Sequence, residues 1–277
     1  MPELPELQAL SERMDRLLAG RTLVQITALQ FSAAKTFDPP ATVLEGAELT
    51  RVTRRGKYLV LDFSGTRLMI HLSQGGRVEF EEPVKKSRPK GGVVRFAFDR
   101  DVAILVKEFG TQRKAGWWVV APGSDGPLEG LGPEPFDEAF TELLLSGHDK
   151  RRLHTFLRDQ RSVAGIGRGF TDDALHRAQL SPFATLDQLG LDERTTLLEA
   201  IREVLANALE SERKRSGGLP PKLGDRFTIH NRAGQQCPRC GADLRRVSFE
   251  SYEMVYCPAC QTGGKVLADR RMSRLIK

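Results

Sequence analysis

The residues with the most chemical potential stand at the very start of the chain, Met1-Pro2-Glu3-Leu4-Pro5-Glu6. An initiator Met before a small residue such as Pro is usually trimmed, and Pro2 then becomes a secondary amine. Free α-amino groups titrate at roughly pH 8, so a useful fraction is unprotonated and nucleophilic at neutral pH. Attack of a secondary amine on a sugar aldehyde gives an iminium, which has no N–H proton to lose and stays cationic. That fixed charge is an electron sink for proton abstraction at the neighbouring carbon. Glu3 and Glu6 lie within one turn of Pro2, and a carboxyl group there can donate or accept protons. The plainer reading is that Pro lacks the orphan N–H of a first helical turn and Glu complements the helix dipole. The rest of the chain decides between the two.

The elements that would position these groups follow from periodicity. Leu7, Leu10, Met14 and Leu17 recur at helical spacing from Pro2 to Ala19, with Gly20 as a stop. The positive end of that helix would disfavour protonation of Pro2. From Arg21 to Val120 the pattern changes to short β-branched or alternating runs: 22–26, 49–54, 58–62, 67–72, 77–80, 93–98, 102–106 and 116–120. Such runs with turns between them predict an antiparallel sandwich or barrel. Residues 81–92 read as a mobile loop and 121–135, rich in Gly and Pro, as a linker. Helical patterns follow at 136–145, 150–158, 171–178 and about 192–214, the last with Thr195, Leu198, Ile201, Leu205 and Leu209 on its buried stripe. The expected class is therefore α+β. Residues 1–120 form a β-sandwich domain with an N-terminal helix, 121–135 a linker, 136–224 a helical domain, and 225–277 a cysteine-bearing module with a basic tail.

Cys237-Pro238-Arg239-Cys240 and Cys257-Pro258-Ala259-Cys260 account for every cysteine and have zinc-ribbon spacing. One structural Zn²⁺ in a closed four-sulfur site is expected, with no open position for catalysis. Asp159–Arg168 joins two helical stretches through Gly165-Ile166-Gly167, a tight turn whose backbone N–H groups suit a phosphate. Arg54-Arg55-Gly56-Lys57-Tyr58-Leu59 reads as a basic hairpin. The net charge of +6 is unevenly placed. Lys150, Arg151, Arg152, Arg158, Arg161 and Arg168 against Asp159 give 150–168 a net +5, and 261–277 carry a net +4. Two basic stretches on a slightly acidic background point to a polyanion, nucleic acid first. No apolar run approaches a membrane span and no signal-peptide pattern opens the chain. The expected location is the cytoplasm or nucleoid.

These stretches, in this order, resemble the formamidopyrimidine-DNA glycosylase and endonuclease VIII family over nearly the whole chain. The resemblance is carried by Pro2–Glu6, the Arg54–Leu59 hairpin, His71-Leu72, Gly132-Pro133-Glu134-Pro135, the Gly165–Gly167 turn of a helix–two-turn–helix, and the terminal ribbon. It implies a two-domain clamp on damaged double-stranded DNA, a flipped nucleotide, base excision and β-elimination at the abasic site. It also implies a monomer with no small-molecule cofactor. By the same resemblance Pro2 is the Schiff-base nucleophile at C1′, Glu3 the proton donor, Glu6 its supporting carboxylate, and Lys57 a phosphate contact with a part in elimination. His71, Gly165 and Gly167 resemble phosphate contacts, and Ser211–Gly224 stands where a lesion-capping loop is expected.

The chain departs from the family pattern in its DNA-reading positions. Gln74 replaces a Met, and Gln112-Arg113-Lys114 stands where an Arg-Arg-Phe wedge is usual; a flexible cation does not intercalate as a stacked ring does. Arg161 and Arg168 replace the familiar Lys and Asn of the helix–two-turn–helix, and Tyr252 replaces an Arg linked to δ-elimination. The last change predicts weak δ-elimination, and the set predicts altered recognition of 8-oxoguanine. Two other readings remain open: a DNA-binding protein on the same scaffold with little glycosylase activity, and an RNA-binding zinc-ribbon factor, which leaves Pro2-Glu3 unexplained.

Overall fold

The computed structural model describes residues 1–110, 112–248 and 253–268. Among them the chain divides into two compact units, Met1–Gly130 with Ala208–Gly224, and Leu131–Asn207 with the segment from Asp225 onward.

The first unit opens with helix α1 (Leu4–Leu18) and continues through eight strands: β1 (Leu23–Ala28), β2 (Arg51–Arg55), β3 (Tyr58–Phe63), β4 (Thr66–His71), β5 (Gly76–Glu81), β6 (Gly92–Phe98), β7 (Val102–Glu108) and β8 (Gly116–Val120). They form two antiparallel four-stranded sheets, ordered β1-β6-β7-β5 and β2-β3-β4-β8. Alternation sends Leu59, Leu61, Leu68, Ile70, Trp117 and Val119 of one sheet, and Val78, Val94, Phe96, Ile104 and Val106 of the other, into one core. Phe96 and Trp117 meet edge to face across it, ring centroids 5.9 Å apart. The stripe Leu7, Leu10, Met14 and Leu18 buries α1 in the same core, so burial rather than propensity fixes the helix at the sandwich edge.

The bounds of this unit differ from those the sequence suggested. Residues 82–91 do not hang free. Arg95, buried beside Glu81 at 2.8 Å, also donates to Ser87 O, and Arg88 donates to Leu29 O. Residues 208–224 pack with the N-terminal unit rather than with the helical domain. Leu219 and Leu223 enter the sandwich core, and Leu219 N–H donates to Val78 O at 2.7 Å. The first part of the expected linker also belongs here, because Leu128 packs on Val60, Met69 and Val120.

The second unit holds α2 (Glu138–Ser146), α3 (Leu153–Arg158), α4 (Arg168–Arg177) and most of α5 (Leu191–Arg213), then β9 (Arg245–Ser248), β10 (Glu253–Tyr256) and the short α6 (Pro258–Thr262). The buried stripe of α5 differs from the sequence reading by one position at its start. Thr195 is exposed, and Arg194 takes the inward place beside Leu197, Leu198, Ile201 and Leu205. A buried arginine there is stable because its guanidinium donates to five carbonyls, those of Leu144, Leu145, Gly147, Leu186 and Leu189. Three of those carbonyls lie at or just past the C-terminal end of α2, where acceptors lack intrahelical partners.

Candidate functional site

At the N-terminus α1 starts at Leu4, two residues later than the periodicity suggested, so Pro2 stands just outside the helix and Glu3 is its N-cap. Glu3 and Glu6 close a capping box: Glu3 N–H donates to Glu6 Oε2 at 2.7 Å, and the Glu3 side chain faces the Glu6 amide. Both carboxyl groups are buried, Glu3 with 4% and Glu6 with 0% of its surface exposed. With Met1 attached, the Pro2 nitrogen is an amide and Pro2 itself is buried. Only removal of Met1 frees the amine.

The basic hairpin reaches the same end of the unit. Val52 N–H donates to Asp15 Oδ1 at 2.7 Å, and Arg54 Nε to Gln8 Oε1 at 3.2 Å. Strand β2 therefore runs back along α1 toward its start. The turn Gly56-Lys57 follows directly at the end of that strand. Lys57 is 5% exposed. Beyond it, Tyr58 pairs in register with His71, which pairs with Gly116, and the Tyr58 and His71 rings lie 4.8 Å apart. Burial first, and the Lys57 charge second, lower His71 to about 4. The imidazole is thus neutral at physiological pH and offers a phosphate one N–H rather than a charge.

Gln74 lies exposed in the turn after β4, and Ser73 beside it has φ +52°. Arg113 is exposed in the segment before β8. The structure brings neither into contact with the Pro2–Glu6 group. Tyr252 lies outside the described residues, as do the tail residues 269–277.

In the second unit, α3 and α4 are joined by the turns of residues 159–167. Gly165 has φ +96°, a conformation that excludes most side chains. Its N–H is already donated to Gln160 Oε1 at 3.0 Å, while Gln160 Nε2 donates to Ile166 O at 2.7 Å. Here this glycine makes the turn, and the Gln160 amide locks it. Gly167 caps α4 and Arg168 is its first residue. Arg161 is exposed, with its own N–H on Asp159 Oδ1 at 3.1 Å. The Gly132-Pro133 stretch backs the turn, through Gly132 N–H to Gln160 O and Ala164 N–H to Pro133 O, both at 2.9 Å. A Cβ on Gly132 would lie 2.4 Å from Arg161 O, which explains a glycine there.

Cys237, Cys240, Cys257 and Cys260 bring their sulfurs within 4.8 Å of one another. Cys237 and Cys260 sulfurs are 3.9 Å apart, Cys240 and Cys257 sulfurs 3.5 Å. A tetrahedral Zn²⁺ with Zn–S near 2.3 Å needs sulfurs about 3.8 Å apart. The donor set fits a structural zinc ion, and four thiolates leave no place for substrate. His176 of α4 lies with Nε2 3.2 Å from Cys237 Sγ, one link between helix and ribbon.

Sequence reading missed a buried polar knot on α4. Asp172 accepts from Val255 N–H at 3.1 Å and His230 Nδ1 at 2.6 Å, and lies 3.2 Å from His154 Nε2. Asp173 accepts the N–H groups of Thr228, Ile229 and His230. Burial pushes the Asp173 carboxyl up to about 6 against the pull of those donors. Adjacent acidic residues in a helix give no sequence signal of this; the pairing is tertiary.

Family models match the chain in three consecutive stretches: the formamidopyrimidine-DNA glycosylase N-terminal domain over residues 1–118, its H2TH domain over 131–217, and the zinc finger found in FPG and IleRS over 234–263. The formamidopyrimidine-DNA glycosylase of Methylococcus capsulatus is 32% identical, covering 94% of this chain and 100% of its own. That of Thermus thermophilus is 33% identical over 95% of this chain and 100% of its own. An uncharacterized formamidopyrimidine-DNA glycosylase-like protein of Mycobacterium tuberculosis is 43% identical over 152 residues, 53% of this chain and 94% of its own. Among solved structures, the Lactococcus lactis enzyme bound to abasic-site DNA superposes with a TM-score of 0.83 at 24% identity, covering 94% of this chain and 99% of that one. The same wild-type enzyme with DNA containing N7-benzyl-Fapy-dG gives 0.82 at 25% identity, covering 94% and 100%.

Proposed function

The chain belongs to the formamidopyrimidine-DNA glycosylase family, and from that premise we propose that it is a DNA-repair glycosylase with abasic-site lyase activity, acting through Pro2 on damaged double-stranded DNA. The observation that carries the reading is the buried Glu3–Glu6 capping box directly beside Pro2. Two carboxyl groups held at that place stand ready to give or take protons from what approaches the Pro2 nitrogen.

In this reading the freed Pro2 amine bonds to C1′ of the damaged nucleotide. The glycosidic bond breaks, its electron pair leaves with the base, and Glu3 supplies the proton that opens the sugar. The resulting iminium draws electrons from C2′. Loss of the C2′ proton then expels the 3′ phosphate, and water releases the enzyme. Glu6 holds the N-terminal backbone, and Lys57 and neutral His71 hold the phosphates. Arg161, Gly167 and Arg168 of the second unit serve the DNA backbone. Tyr252, in place of the usual Arg, supports elimination that stops at the β step. The chemistry needs no organic cofactor, since the chain supplies its own amine. Its groups come from one unit of one chain, which supports a monomer; a DNA substrate supports work in the cytoplasm or nucleoid.

The test is borohydride trapping on a plain abasic-site duplex and a panel of oxidised bases, with the N-terminus sequenced and Pro2→Gly as control. We expect a covalent adduct that Pro2→Gly abolishes. The altered positions Gln74 and Arg113 favour one competing reading, a non-catalytic DNA binder; tight duplex binding with no adduct on any substrate would select it.

A further inference from the structure

The outer face of the β2-β3-β4-β8 sheet carries an aromatic and basic ledge of which the reading above uses His71 alone. Tyr58, His71 and Gly116 sit opposite one another across three strands, and Trp118 follows on the same face next to Met69. The Tyr58 ring meets His71 at 4.8 Å and Trp118 at 5.6 Å. The space a side chain at Gly116 would take is filled by the Lys35 stem and the Trp118 ring; a Cβ there would be 3.0 Å from Lys35 Cε.

Lys35 is held in place by its backbone. Its N–H donates to Trp117 O at 2.9 Å, and Val119 N–H donates to Thr36 Oγ1 at 2.7 Å, so residues 34–36 extend the edge of β8. Phe37 follows two residues after Lys35. Phe37 is 81% exposed, and Phe31, at the start of the short helix leading in, is 85% exposed. Two nearly bare phenyl rings in a hydrogen-bonded segment are an unusual surface. Its exposed cations are Lys35, whose ammonium also donates to Ser32 O, and Arg113 and Lys114 just before β8; its acids are Asp38 and Asp62, and Arg67 is paired with Asp125. Flat rings spaced among cations suit stacked bases and their phosphates.

We propose that Phe31, Lys35 and Phe37, with Trp118, bind unpaired DNA bases, taking a single strand that continues past His71. The inference deepens the proposed function, since His71 is where the strand arrives, and it names the substrate class: lesions beside single-stranded DNA, as in a bubble, fork or overhang.

The test compares wild type with Phe31→Ser/Phe37→Ser, whose rings are too exposed to support the core; equal zinc content and melting temperature would verify the fold. Binding is measured at matched salt on a blunt abasic-analogue duplex, the same duplex with a single-stranded flank, and single-stranded DNA and RNA oligonucleotides. We expect wild type to bind the flanked duplex more tightly than the blunt one. The double variant should lose about tenfold or more on flanked and single-stranded DNA, with blunt-duplex affinity and borohydride trapping unchanged. Lys35→Gln should lower the salt slope on single-stranded DNA by about one. Equal binding of wild type to blunt and flanked duplex, or equal loss on both in the variant, would overturn the proposal and leave the rings to a protein partner; preference for RNA would overturn it in favour of an RNA ligand. Trapping on the blunt duplex reports the lyase reading separately, so either can fail alone.

Discussion

Pro2 acts as a nucleophile only if its nitrogen is free of Met1 and free of a proton. The first condition requires removal of Met1, and the second is favoured by the N-terminal end of α1, whose partial positive charge opposes a further one. The opposite logic governs His71. Its folded value, near 4, lies below the ordinary 6.5, so the folded state resists protonation while the unfolded chain accepts it. Its contribution to stability is complete above about pH 6.5 and is lost as pH falls toward 4. Two measurements follow. Imidazole resonances of His71 should titrate near pH 4, and a midpoint near 6.5 would contradict the buried site beside Lys57. His71→Gln should also flatten the loss of melting temperature across that window.

At the scale of elements, the segment after α5 is clamped by side chains that no motif reveals. Arg13 Nε donates to Gly217 O at 2.7 Å, and Arg77 Nε to Pro220 O at 2.8 Å. Gly218 lies so close to β5 that a Cβ would meet Val78 O at 2.0 Å. Arg77→Met would take the donor from the part-buried carbonyls of Pro220 and Pro221, at a cost of about 1 kcal/mol. We expect limited proteolysis to cut 214–224 faster in that variant; unchanged protection would show that Leu219 and Leu223 alone hold the segment. The ribbon depends on its ion in the same local way. Beside the cysteines the apolar cluster of Ile229, Leu244 and Val255 is small, so verified zinc removal should unfold the ribbon and weaken DNA binding. Retained binding in metal-free protein would deny the ion a structural role.

For the whole molecule, the reading separates two tasks. Pro2, Glu3, Glu6, Lys57 and His71 all belong to the first unit, while Arg161, Arg168 and the zinc site belong to the second. If the second unit serves the backbone, Arg161→Ala and Arg168→Ala should weaken binding to every sequence. Each should also reduce the salt slope by about one. A loss confined to lesion-bearing DNA would instead place these arginines in recognition. Net charge of +6 supports the association in general but does not locate it.

The sequence by itself determined the features whose physics is local. Cysteine spacing specified the zinc site, alternation specified two sheets, and the helical stripe of Leu7, Leu10 and Met14 specified α1. Pro2-Glu3 could be proposed from the sequence because an amine nucleophile needs no neighbour to be suggested. Tertiary structure alone decided where long-range partners fall. It placed 208–224 with the sandwich, buried Arg194 under five carbonyls, gave the Gly165 amide to Gln160, and tied Asp172 and Asp173 to the ribbon. A buried charge or amide is stable only when a distant backbone group satisfies it, and one-dimensional periodicity carries no record of which group that will be.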